Sequence, residues 1–216
     1  MNTLAEENYL KAIYKLSLTS SNVSTNQIAA ELATKASSVT DMVRKLADKA
    51  LVNYARYQGV SLTNTGEKVA LNIVRRHRLW EYFLVQKLHF KWDEVHEMAE
   101  EMEHISSIEL INRLDAFMGY PIRDPHGDPI PDCDGNIKAP ALMPLSAVKT
   151  NTSGVISGVG DHTTPFLQYL EQQKLTIGKR VTIKEIIGYD NTVILEMDNR
   201  QLHISRDVAN NILIAI

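Results

Sequence analysis

The sequence predicts a mainly α fold with a small β domain: an N-terminal winged helix-turn-helix, a helical middle domain and a C-terminal SH3-like β-barrel. Three observations lead there. Residues 1–63 read as short helices followed by a hairpin, residues 64–140 as helices ending in a proline-rich loop, and residues 141–216 as short strand-like runs. With 216 residues and 44% hydrophobic content the chain exceeds one typical domain and can bury a sizeable core.

Residues 5–18 place Leu10, Ile13 and Tyr14 at helical spacing, and Ser24 is a fitting N-cap for a second helix over 25–33. After a turn at 34–36, SSVTDMVRKLADKA is expected to start on the caps Ser37 and Ser38 and to carry Val39, Met42, Val43 and Leu46 on one apolar stripe. Lys35, Ser37, Ser38, Thr40, Asp41, Arg44 and Lys45 remain for the other face. Short hydrogen-bonding and cationic groups equip a helix to lie in a DNA major groove. LVNYARYQGVSLT then reads as two strands, 51–55 and 60–63, around a turn with Gly59. Arg56 and Tyr57 at this wing tip can both donate to phosphate oxygens. A single polar residue on a helix is ordinarily just solvated. The ordered set of helix, helix, polar-faced helix and hairpin is what points to DNA.

A long helix is expected over 63–90, with Val69, Ile73, Trp80, Leu84 and Leu88 on its apolar side and the basic run Arg75, Arg76, His77, Arg78. Helices over 92–104 and 107–118 complete a section with enough apolar surface to serve as a homodimer interface, because DNA-binding modules of this kind pair to match two half-sites. Residues 119–140 hold five of the seven prolines and form a loop or linker, which sets domain boundaries of 1–63, 64–140 and 141–216. Beyond it, VISGV, KRVTIKEIIGY, TVILEM and RQLHIS are strand-like, interrupted by one helix over 165–173.

The net charge of −3 conceals an asymmetry. Lys+Arg against Asp+Glu is 8 to 6 over residues 1–70, 8 to 13 over 71–140 and 7 to 7 over 141–216, so the acid excess lies in the middle. There His96, Glu100, Glu103 and His104 fall within one helical arc at about 100° per residue, and His77 and Glu81 are one turn apart. A lone helical histidine is more often a structural residue than a ligand. Imidazole and carboxylate in two paired sets are the ligands a borderline divalent cation takes. Cys133 is the single cysteine, so a four-cysteine zinc module is excluded and metal would be held by oxygen and imidazole nitrogen. Asp124 and His126 in the loop, and Asp161 and His162 before the late helix, are further candidates that spacing does not assign to one site. No signal-peptide-like start and no membrane-length apolar run is seen, and the cytoplasm is the expected compartment.

EENYLKAIY, SSVTDMVRKL, RRHRLWEYFLV, DEVHEMAEEMEH and GYPIRDPHGDPIP, in that order, resemble the diphtheria toxin repressor and manganese transport regulator family. The resemblance implies a metal-activated repressor of metal-uptake genes that binds double-stranded operator DNA as a homodimer, with no membrane partner and no organic cofactor. It implies a primary metal site from Glu100, Glu103 and His104 with a first-helix ligand at Asn8. A second site would comprise His77, Glu81, Asp124, His126 and, in three-domain members, an acid matching Asp161, while His96 matches a histidine some iron members use. Two departures stand out. Asn8 replaces the aspartate of manganese members or the methionine of iron members, so Glu6, Glu7 or water would have to supply what it lacks. Glu100 stands where iron members have cysteine, and hard oxygen in place of soft sulfur favours Mn²⁺ over Fe²⁺, with Zn²⁺ or other divalent metals able to substitute in vitro.

Two other function classes fit parts of the pattern. A winged-helix regulator answering to a small organic ligand would leave the acids as plain surface. A metallohydrolase would use His and Glu to activate water, but H-E-x-x-H, a nucleophile elbow and a phosphate loop are all missing from the sequence.

Overall fold

The structure is a computed structural model that describes residues 2–20, 22–55 and 58–216. Backbone contacts divide it into two compact units. The first comprises Met1–His77, Glu100–Leu114 and Pro131–Ile137, the second Arg78–Ala99, Asp115–Ile130 and Lys138–Ile216.

In the first unit, α1 (Leu4–Ser17) opens with a capping box: Glu6 N–H donates to Thr3 Oγ1 at 3.3 Å and Thr3 N–H donates to Glu6 Oε2 at 2.9 Å. The same chemistry starts α2 (Thr25–Glu31), with Ser24 and Gln27 as the pair. The next helix, α3 (Ala36–Asp48), begins earlier than its serines suggest: Lys35 is the N-cap, no side chain caps the start, and Ser37 and Ser38 sit within the first turn. The backbone sets this, because Ala33 in left-handed conformation and the Thr34 N–H to Ala29 O bond close α2 and launch the chain directly at residue 35. The apolar stripe is as read, with Val39, Val43 and Leu46 wholly buried against Leu10, Ile13 and Ile28. Each such side chain contributes roughly 1.5–3 kcal/mol by leaving water.

Strands β1 (Val52–Ala55) and β2 (Gly59–Leu62) pair antiparallel from Val52 opposite Leu62 to Ala55 opposite Gly59. Val23 bridges to Val60 through bonds of 2.9 and 2.8 Å and anchors the hairpin to the helices. Arg56 and Tyr57 lie outside the described residues. Helix α4 (Asn64–Leu88) follows, and its basic run is no surface patch: Arg75, Arg76 and His77 are 3, 5 and 8% exposed.

Glu6 ties α1 to α3. Its carboxylate accepts from Lys49 Nζ at 2.7 and 2.8 Å and lies 3.1 Å from Lys45 Nζ. It is buried, and Lys49 in the main holds its carboxyl down to about 2 against the cost of that burial. A depressed carboxylate stabilises the fold fully above its unfolded value near about 4.3 and loses that contribution as pH falls towards about 2. Glu6→Gln should therefore cost on the order of 1–3 kcal/mol at neutral pH. The gap should close as pH falls from about 5 to about 2.5, measured by urea unfolding. An equal gap at both ends would show that Glu6 acts through packing alone.

The second unit contains the short helix α5 (His96–Met102) in part, the end of α6 (Ile108–Phe117), and a six-stranded antiparallel sheet. Its strands are β3 (Met143–Pro144), β4 (Ser153–Val159), β5 (Arg180–Ile186), β6 (Val193–Met197), β7 (Arg200–Ile204) and β8 (Ile212–Ala215), in the order β3-β8-β4-β5-β6-β7. Bulges bend β4 after Ile156 and β5 after Ile183. Leu145, Ile156, Leu170, Ile183, Leu195 and Ile212 fill the core. Helix α7 (Thr164–Gln173) is where the sequence placed it, but a second helix, α8 (Arg206–Asn211), and strand β8 were missed. Ser205 caps α8 through Val208 N–H, which the motif Ser-Arg-Asp-Val could have signalled. Among the described residues no helix is long and apolar enough to cross a membrane.

Candidate metal centres and nucleic-acid face

α5 ends at Met102, so Glu103 and His104, expected on the helix, sit in the turn after it. The turn aims them at α1. Glu103 is fully buried; its Oε2 lies 2.7 Å from His77 Nδ1, while Lys11 Nζ lies 2.8 Å from Oε1, 2.9 Å from Oε2 and 3.2 Å from Glu100 Oε1. Burial alone would raise the Glu103 carboxyl, but the His77 ring and the Lys11 ammonium overcome it and hold it below its usual value. His104 Nδ1 is 2.9 Å from Glu7 Oε2, and Arg76 is 3.2 Å from Glu7 Oε1. This first cluster gathers Glu100, Glu103 and His104 as the sequence suggested, and adds Glu7, Lys11, Arg76 and also His77, which the resemblance implies for the second site but whose ring turns to Glu103. Asn8 is exposed one position further round α1. Glu7 and Lys11 share an i, i+4 face, a spacing that could have singled them out.

The second cluster belongs to the other unit. Glu81 on α4 is buried, and so are Asp124 and His126 in the loop; each offers a ligand atom within 4.8 Å of the others. His96 reaches Glu81 Oε1 at 3.2 Å. Asp124 Oδ1 accepts the amides of His126 and Asp128 at 2.8 and 3.0 Å, while Arg78 approaches its Oδ2 at 3.5 Å and bonds Asp128 at 2.9 Å. His126 Nε2 is 2.7 Å from the Trp92 carbonyl, leaving Nδ1 buried without a hydrogen bond and 3.6 Å from Glu81 Oε2. Burial and the Glu81 charge push the Asp124 carboxyl well up; burial lowers the His126 imidazole, but Glu81 and Asp124 more than offset it and its affinity for protons rises. The His126 ring stacks between Trp92, at 6.2 Å, and His162, at 5.0 Å. Asp161 accepts the Thr163 amide at 2.8 Å and, among the described residues, is not in the group that converges on His126.

On α3, Lys35, Ser37, Ser38, Asp41, Arg44 and Lys45 are exposed, as a surface meant for another molecule requires. Thr40 is half-buried and its hydroxyl donates to Ala36 O at 3.0 Å. Arg44 lies 3.8 Å from Asp41, and Lys45 leans back on Glu6.

A winged helix with carboxylate–imidazole clusters in the same chain defines a class, the metal-dependent transcriptional regulators. Comparison with known proteins specifies it further. Residues 1–60 match the iron dependent repressor N-terminal DNA binding domain, 63–132 the iron dependent repressor metal binding and dimerisation domain, and 143–216 the FeoA domain. The HTH-type transcriptional regulator MntR of Bacillus velezensis is 33% identical over 120 residues, 56% of this chain and 84% of that protein. A solved manganese-dependent transcriptional repressor in complex with manganese aligns with a TM-score of 0.86 at 33% identity, covering 97% of this chain and 98% of its own. A probable metal transport system membrane protein of Chlamydia trachomatis is 45% identical over 86 residues, 40% of this chain and 19% of that protein, so this chain spans about a fifth of that relative. The chain belongs to the iron-dependent repressor family, which includes the diphtheria toxin repressor, and has its three-domain fold with a C-terminal SH3-like module.

Proposed function

We propose that this protein is a Mn²⁺-activated repressor that binds operator DNA as a homodimer in the cytoplasm and silences metal-uptake genes. One observation carries the reading. Glu7 and Lys11 on the first helix of the DNA-binding region meet Glu100, Glu103 and His104, so a cation held there is shared by the two segments. A ligand shifts an equilibrium only by binding one state better, and a metal stapling these segments favours the state in which α1 is docked. The donor set fits a metal: the fully buried Glu103 carboxylate stands with Glu7, Glu100, His77 and His104, all of them oxygen and imidazole donors. We assign Glu7, Glu100, Glu103, His104 and His77 to the primary site. Glu7 supplies the charge that Asn8 lacks, and Asn8 lies next to it. Glu81, Asp124 and His126, with His96, form the second site, where His126 Nδ1 has a lone ligand position to offer. All-oxygen and nitrogen donors suit Mn²⁺ over softer metals, with Fe²⁺ as the alternative. Bound metal would supply fixed positive charge that neutralises the clustered carboxylates.

Ile105, Ile108 and Leu110 are 41 to 70% exposed, an apolar surface that pairing with a second copy would cover. α3 would hold DNA, together with Arg56 and Tyr57, whose cation and phenol can donate to phosphate oxygens. Full-length protein in a promoter mobility-shift titration should bind with Mn²⁺ and release with EDTA, with Fe²⁺ and Zn²⁺ as comparisons. Binding indifferent to EDTA would end the metal reading and favour an organic effector.

A further inference from the structure

Lys11 places an ammonium where the primary site must place a metal. Its Nζ straddles both oxygens of Glu103 at 2.8 and 2.9 Å and reaches Glu100 at 3.2 Å. Glu103 is fully buried and so cannot be left unpaired without cost, while Lys11 is 21% exposed and carries its ammonium on a flexible four-carbon stem. We propose that Lys11 is a resident competitor: its ammonium keeps Glu103 and Glu100 paired in the metal-free protein, and Mn²⁺ must displace it. A monovalent cation and a divalent cation on the same two oxygens repel one another, so one leaves as the other enters. The residue then sets the metal concentration at which the regulator switches, by weakening a site that its carboxylates alone would make tighter. It also gives the metal-free state a defined structure in place of a cluster of repelling acids.

The inference rests on the assignment of Glu100, Glu103 and His104 as ligands. The test is chelator-competition titration of the full chain with Mn²⁺, following the binding step that Glu100→Gln weakens, in native protein, Lys11→Gln and Lys11→Arg. Lys11→Gln removes the charge and should bind about tenfold tighter or better, whereas Lys11→Arg keeps it and should stay close to native. Native binding with a folded Lys11→Gln that is no tighter overturns this inference and leaves the repressor reading intact; no binding of Mn²⁺, Fe²⁺ or Zn²⁺ by native protein removes both. Should Lys11→Gln not fold, acylation of Lys11 in native protein, read by mass spectrometry, decides the matter. Mn²⁺ should speed it several-fold over EDTA by releasing the amine, and an unchanged rate overturns the proposal.

Discussion

His104→Ala should give a folded protein that binds operator no better in saturating Mn²⁺ than in EDTA. The histidine and its partner Glu7 are largely buried but keep some solvent access, so its loss costs on the order of 1 kcal/mol of stability. Its expected effect on metal is far larger, because even partners outside the coordination shell alter affinity by about 10–100-fold, and a ligand is worth more. Operator affinity in Mn²⁺ should drop by at least about 100-fold, as read by mobility shift or anisotropy, with the melting curve of the metal-free protein nearly unchanged. His104 is a better probe than Glu103, whose replacement would also remove the 2.7 Å contact of the buried His77 ring and so disturb the fold itself. A His104→Ala protein that still answers to Mn²⁺ would dismantle the coupling proposed between α1 and the 100–104 segment.

Gly127→Ala should damage the second cluster while sparing the first. Gly127 has φ +90°, which a side chain rarely adopts, and a Cβ there would lie 2.2 Å from both Gly158 Cα and Ser157 O. Neither neighbour is a movable side-chain end. The loop that carries Asp124 and His126 would have to shift, at a cost of roughly 3 kcal/mol or more from strain and overlap together. Calorimetry with Mn²⁺ should report one tightly bound equivalent fewer, with the step assigned to Glu103 and His104 retained. Unchanged stoichiometry and melting temperature would mean that the loop is not what shapes the site.

Periodicity carried most of the architecture. The stripe of Val39, Val43 and Leu46 and the alternating runs of the late strands follow from burial on one face, which local sequence records directly. Strand β8 escaped because Ile212–Ala215 pairs with β3 and β4, from residues more than fifty positions earlier, and no local pattern encodes such a partner. In the first cluster, residue types identified the ligands to seek but not the orientation of α1. A rotation of one position about the helix exchanges Asn8 for Glu7 as the residue facing His104, and only the packing of Leu10 and Ile13 fixes it. Lys11 was overlooked for a different reason: a lysine among acids reads as a solvated charge until its carboxylate partner proves to be buried.

The position of β8 in the sheet bears on how the polypeptide is made. Its neighbours β3 and β4 cannot be joined until residues 212–215 have been synthesised, so the late domain is assembled only once that stretch has cleared the ribosome. The winged helix uses contacts much closer along the chain and is free to form long before. A nascent chain would therefore hold a finished reader of DNA while the part built from β3 to β8 is still an open ribbon with unpaired edges.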